Sequence, residues 1–318
     1  LVVALASALA CAYAVMTHDF WLLVAATVVA GYYNANGQLY RFAAAELVTL
    51  QFREKAVSLV LAGGLIGAVI GPNIATRTKA MTETPFVGAY LALAVVAVIS
   101  MVIMAMMQFP PVPPPVKGQA PGRPLSEIMR QPLFIVSTLG AALGYGVMNL
   151  LMAATPLAMQ VCELPFEDTA LVLQWHVIGM FAPGFFTGHL IRRFGTLQIM
   201  GVGVVLNAVC IAIALSGVEL HQFVIALFLL GVGWNFLFTG STTLSLKAYR
   251  PEEKDRAQAA INFCVFAVMA LTSFASGALV TTQGWRLLNL GSLVPLAMTA
   301  AALVWLVLHQ RAAKPTRP

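Results

Sequence analysis

Nine polar or aromatic side chains fall inside long apolar stretches of this chain, where burying amides, hydroxyls and imidazoles is costly enough to make them functional candidates by default. Trp234 and Asn235 lie near the middle of one stretch, and Tyr33 and Asn34 near the middle of another. Tyr145 and Asn149 are four apart, so a helix places them on one face. Gln174 and His176 share a further stretch, and Asn262 belongs to a fifth. Amides and hydroxyls of this kind orient a small organic solute through hydrogen bonds, while Trp234 and Tyr33 offer rings on which a flat part of it can stack. Each also has a structural alternative, because Asn and Gln bridge membrane helices and Tyr and Trp fill interfaces. All twelve Asp and Glu residues map to loops or helix ends, so a proton used for coupling has His176, a group outside this chain, or nothing to carry it.

Elements that could hold these groups follow from composition. The chain has 318 residues, 60% hydrophobic and 9% charged, far above the roughly 45–50% apolar share of a soluble domain. It reads as an all-α polytopic membrane protein, because backbone amides in hydrocarbon must pair within their own segment. Ten spans are expected, near 1–17, 20–41, 56–78, 86–107, 132–155, 167–191, 197–217, 221–246, 257–281 and 287–308. A proline-dense segment over 109–131 divides them into a bundle over 1–108 and a six-helix bundle over 132–310, followed by a tail over 311–318.

Charge and cysteine usage exclude other classes. Fifteen Lys and Arg, Arg41 among them, fall on one side of the spans and only Arg77, Lys79 and Arg286 on the other, so linker and C-terminus are expected in the cytoplasm and the bilayer is a bacterial-type inner membrane. The net charge of +6 is then a consequence of topology, and no nucleic-acid partner is implied. The four cysteines lack CxxC spacing and the five histidines stand singly, so no metal or cofactor is expected. No paired acids, metal cluster or activated nucleophile suggests an enzyme.

Residues 1–56 resemble residues 201–257 at an offset of about 200, with Gly31 opposite Gly231, Asp19 opposite Glu219, and Arg53-Glu54-Lys55 opposite Lys254-Asp255-Arg256. Apolar segments repeated in two halves are a transporter signature. The first half is therefore expected to lack on the order of 69 residues, two helices, ahead of Leu1.

Three places resemble the major facilitator superfamily. Gly188-His-Leu-Ile-Arg192-Arg193-Phe-Gly195 is similar to the family's cytoplasmic loop motif, with Arg192 where an Asp is usual. Gly63, Gly67, Gly71 and Pro72 resemble its antiporter motif and read equally as a tight packing seam. FREKA at 52–56 and EEKDRA at 252–257 resemble paired charged loops that gate the cytoplasmic side, or are solvated loops. The family's membrane-embedded Arg is absent from its expected place, where Tyr33 stands. The resemblance implies a two-bundle fold with ten of twelve helices present, the first bundle holding parent helices 3–6. It further implies a monomeric secondary transporter of a small solute working by alternating access. Efflux leads, uptake of a nutrient or vitamin is the alternative, and a non-transporting receptor or a membrane enzyme is the reading from another class.

Overall fold

The computed structural model describes residues 1–37, 39–106 and 122–312. Most of the linker, the tail beyond 312 and the side chain of Pro72 lie outside the described residues. Regular structure among the described residues is entirely helical: α1 (Val2–Met16), α2 (Phe20–Gly37), α3 (Tyr40–Glu46), α4 (Arg53–Thr78), α5 (Val87–Met106), α6 (Leu125–Met129), α7 (Pro132–Val161), α8 (Phe166–Phe181), α9 (Gly184–Phe194), α10 (Thr196–Ser216), α11 (Leu220–Ser245) and α12 (Lys254–Ala312). Helix occupies every one of the ten expected spans.

By length and apolarity alone five of these helices can cross a bilayer, or six when the α8–α9 pair, bent by 41°, is taken as one span. The difference from ten has identifiable causes. Helix α1 has 15 residues, α2 has 18 and turns polar over its last turns, and α12 is one run only nominally, since Gly284 at φ 77 interrupts it. Glycine has no Cβ to clash there, and the same freedom lets Gly195 turn the chain at φ 96 between α9 and α10. The second expected span, 20–41, is shorter than anticipated: α2 stops at Gly37, and Arg41 opens α3.

Local sequence explains other boundaries. Asp19 Oδ1 accepts from the amide of Leu22 at 3.0 Å, capping the first turn of α2. Its repeat partner Glu219 precedes α11, and there the Glu219 amide donates to Gln222 Oε1 at 2.8 Å. The repeated acidic residue thus marks a helix start in both places.

Contacts divide the chain into two compact units. In the first, residues 1–40 with 66–121, α1 packs on α2 and α5, burying Ser7, Ala8, Cys11, Ala12 and Ala14 on α1 and Ala94 and Ala97 on α5. Small side chains suit this role because lipid supplies little hydrophobic drive and close van der Waals approach must hold helices together.

The second unit, residues 41–65 with 122–318, is built around α11. That helix packs on α7, α8 and α10, and every residue from Gly233 to Ser245 is buried. Glycines permit the approach: a Cβ at Gly231 would stand 2.4 Å from the carbonyl oxygen of His176, and one at Gly203 would stand 2.8 Å from that of Gly233. A second seam joins α9 to the start of α4. A Cβ at Gly184 would come 2.7 Å from the Ser58 carbonyl oxygen, and one at Gly188 would come 2.7 Å from that of Glu54. Ser58 Oγ donates to the Gly184 carbonyl and accepts from the Gly188 amide at 3.0 Å, so one hydroxyl pins the crossing.

The expected seam on α4 looks different. A Cβ at Gly63, Gly67 or Gly71 would meet nothing within 4 Å among the described residues, whereas one at Gly64 would press on the Phe181 ring. Gly188→Leu should therefore destabilise the detergent-solubilised protein by ~1–3 kcal/mol through overpacking. Gly67→Leu should melt with the wild type, and a thermal-denaturation series that reverses this order would place the tight seam on α4.

Candidate functional site

Five aromatic rings, one guanidinium and one amide converge in the second unit. Trp234 of α11 stacks on Phe238, with ring centroids 4.9 Å apart and planes 17° from parallel. Tyr145 of α7 meets both edge-on, 5.5 Å from Trp234 and 5.4 Å from Phe238, and Phe181 of α8 closes on Trp234 at 6.1 Å. Two of these positions follow helical arithmetic, since Trp234 and Phe238 are four apart on α11, and Tyr145 meets them from α7. Among the described residues the buried Trp234 indole N–H has no hydrogen-bond partner.

Arg41 is the surprise of this group. Counted by sequence among the cytoplasmic basic residues, it is instead 2% exposed. Its guanidinium carbon lies 4.2 Å from the centroid of the Phe238 ring and 4.6 Å from that of Phe42, and Nη2 donates to Asn262 Oδ1 at 2.9 Å. The expected span ran to residue 41, whereas α2 ends at Gly37 and Arg41 belongs to α3, where it is buried. Without Arg41 the basic asymmetry is still fourteen to three. A buried arginine is therefore present four residues after Gly37, whereas Tyr33 stands four before it. A single Arg followed by Phe-Ala-Ala-Ala, with no second basic residue until Arg53, was the signal in the sequence.

The remaining amides make helix-to-helix bonds. Asn235 is fully buried, donating from Nδ2 to the Met180 carbonyl at 2.7 Å and accepting at Oδ1 from Thr187 at 2.7 Å. These partners flank the α8–α9 break at Pro183, where the ring removes an amide donor and leaves carbonyls to be satisfied. Asn149 Nδ2 lies 2.8 Å from Ser273 Oγ and 3.0 Å from Thr272 Oγ1, joining α7 to α12. Fully buried His176 places Nδ1 2.7 Å from the Leu227 carbonyl, which makes Nδ1 the protonated nitrogen and ties α8 to α11. Gln174 is exposed on α8. In the first unit Tyr33 is half-buried and Asn34 exposed on α2.

The charged loops pair with partners other than those expected. Arg53, Glu54, Lys55, Asp255 and Arg256 form no salt bridge among the described residues, while Lys254 Nζ meets Glu46 Oε2 at 2.6 Å and Gln258 bonds both Glu46 and Tyr249. Lys254, Gln258 and Asn262 are successive i, i+4 positions, so one face of α12 engages α3 from Glu46 to Arg41. Next to it Glu253, 1% exposed, accepts from Arg123 Nε at 2.8 Å, Arg123 Nη2 at 2.7 Å and the amides of Arg123 and Arg250, both at 2.9 Å. The paired guanidinium holds its carboxyl well down, at about 2. Arg192 and Arg193 are exposed at the end of α9, with Arg193 over the Phe194 ring at 5.3 Å.

Fold and site describe a polytopic, all-α membrane protein. The sequence model of the Major Facilitator Superfamily matches residues 1–183 and again 139–318. A riboflavin transporter, RfnT of Brucella anthropi, is 38% identical over 273 residues, covering 85% of this chain and 69% of that protein. The uncharacterised transporter YddS of Bacillus subtilis, named as being of the same superfamily type, is 22% identical over 316 residues, covering 92% and 71%. Among solved structures, the E. coli fucose:proton symporter FucP superposes with TM-score 0.69 and a bacterial ferroportin homologue in its outward-facing state with 0.65, each at 14% identity and covering 96% of this chain and 81% of its own. The chain belongs to the Major Facilitator Superfamily, a family of membrane transporters and not of enzymes.

Proposed function

We propose that this protein is a secondary transporter that takes up a flat, heteroaromatic, vitamin-like solute of the flavin class by alternating access. The observation that carries the reading is the grouping of Arg41, Asn262, Tyr145, Trp234 and Phe238 in one polar-aromatic cluster. A guanidinium and an amide can address the carbonyl and imide edge of a fused ring system, and the aromatic side chains can stack on its faces once the cluster opens. The 38% identity to a protein named as a riboflavin transporter supports the same class. Uptake is preferred to efflux because, among the described residues, a Cβ at Gly63, Gly67 or Gly71, the glycines that suggested an antiporter motif, would meet nothing within 4 Å.

Tyr33 and Asn34 on α2 remain candidate solute contacts, and a proton is the proposed coupling ion. Neither His176 nor Asn235 is proposed to touch solute, since each is committed to a neighbouring helix. The basic asymmetry supports an inner-membrane protein with linker and C-terminus in the cytoplasm. The charged face joining α3 and α12 is the proposed gate, and the division into two bundles at the linker is retained with it.

The test is labelled riboflavin uptake by a riboflavin-requiring bacterial strain expressing the full-length protein. Saturable uptake that unlabelled riboflavin suppresses and fucose does not is the expected result. Accumulation equal to that of the empty-vector strain would overturn the flavin reading.

A further inference from the structure

A cavity of about 690 Å³ opens at the end of the second unit where α7, α10, α11 and α12 meet. It shares none of the residues of the aromatic cluster. Leu133 at the start of α7, Leu197 at the start of α10, Leu244 near the end of α11 and Val307 of α12 give it apolar walls. Lys247 and Arg311 supply two positive charges, and Gln198 and Gln310 supply amides. Lys247, Gln198, Gln310 and Arg311 are all exposed, and neither cation has a carboxylate within 4 Å among the described residues.

The helices around the cavity continue it into the bilayer. On α10, Gln198, Val202, Val205 and Val209 are spaced 4, 3 and 4, which places them on one face, and the three valines are 45%, 60% and 41% exposed. On α12, Arg311, Leu308 and Val304 share a face in the same way, with Leu308 57% and Val304 58% exposed. Each helix thus presents a polar end at the cavity and a lipid-facing apolar stripe running from it. Soluble anions would use the first feature and leave the second unexplained.

We propose that this cavity is a binding site for an anionic phospholipid of the cytoplasmic leaflet. The phosphodiester lies between Lys247 and Arg311, Gln198 and Gln310 bond the glycerol hydroxyls or ester carbonyls, and the acyl chains follow the exposed stripes of α10 and α12. Basic pockets between membrane helices favour anionic headgroups in this manner, with the surface potential of the leaflet adding to the local pairing.

The experiment uses the delipidated full-length protein in neutral detergent, with phosphatidylglycerol or phosphatidylcholine of the same acyl composition added and bound lipid counted by native mass spectrometry. Wild-type protein should retain phosphatidylglycerol over phosphatidylcholine by at least roughly five-fold, and Lys247→Gln with Arg311→Gln should abolish the preference. Both side chains are exposed, so the melting temperature of the double variant in phosphatidylcholine should match that of the wild type. Should the double variant be unstable, Lys247→Gln alone reads the same ratio. Equal retention of the two lipids by the wild type, or an undiminished preference in the variant, would overturn the proposal. Displacement of phosphatidylglycerol by millimolar inorganic phosphate would overturn it too, because the site would then take a soluble anion.

Discussion

Arg41→Ala is expected to lower riboflavin uptake by about 10- to 100-fold in cells, with the protein still inserted and recovered near wild-type yield. A charged side chain held inside a membrane protein carries a desolvation penalty of several kcal/mol, and the effective figure depends on how well its partners compensate. Here the compensation includes the Asn262 amide and two ring faces. A desolvated cation–π contact contributes ~2 kcal/mol and a membrane hydrogen bond about 0.6–1.7 kcal/mol, so these contacts offset the penalty without making the charge a large net stabiliser. Arg41→Met, which fills the space without charge, should therefore fold at least as well as the wild type and transport no better than Arg41→Ala. Arg41→Lys should not restore uptake, because a point charge lacks the planar fork that spans a carbonyl edge and stacks on Phe238. Loss of folded protein in parallel with uptake across all three variants would assign Arg41 to stability. Normal uptake in Arg41→Met would remove it from the solute site.

The second large effect concerns the clamp at the start of α12. Glu253→Gln should reduce the stability of the solubilised protein by about 3 kcal/mol, the lower end of the range for breaking a buried pair, because Arg123 is partly solvated. The lost interaction is specific: one carboxylate ties the backbone and side chain of Arg123, just after the proline-rich segment, to the amide of Arg250. Arg123→Met together with Glu253→Gln should be less destabilised than the two single effects summed. The pH dependence has a defined sign. Because the folded-state pKa of Glu253 is depressed to about 2 from 4.5, its contribution is complete above about pH 4.5 and disappears as pH falls toward 2. Melting curves should thus show no pH dependence from this pair between pH 5 and 8, where its contribution is constant, and wild type and Glu253→Gln should converge at about pH 2. A constant gap between them down to that pH would exclude the ion pair as the cause.

The helices, the turn at Gly195 and the starts of α2 and α11 were legible in the sequence, because apolar length, glycine and acidic caps act locally. Part of the site was legible for the same reason: Tyr145 and Trp234 lie on stretches whose polar residues had to turn inward, and they meet. Arg41 was not, because counting basic residues by side presumes that each span runs to its full apolar length, and α2 stops early. The partners of the charged loops were equally hidden. Composition marked Lys254 as able to pair, but the choice of Glu46 over Glu54 depends on how α3 and α12 cross, which no local pattern encodes. Gly188 was recognised through a motif, and its partner Ser58, a single hydroxyl in an otherwise ordinary helix start, carried no signal at all.

The break at Gly284 bears on how the protein enters its membrane. One residue of non-helical backbone joins the two limbs of α12, residues 254–283 and 285–312, so there is no slack loop to trail outside while the second limb waits in the cytoplasm. Under the proposed orientation the limbs must cross as a hairpin during biogenesis. Arg286, two residues past the break, is the charge that has to be carried through the hydrocarbon. Both apolar limbs draw it across together, which neither could do alone with the other still on the ribosome side.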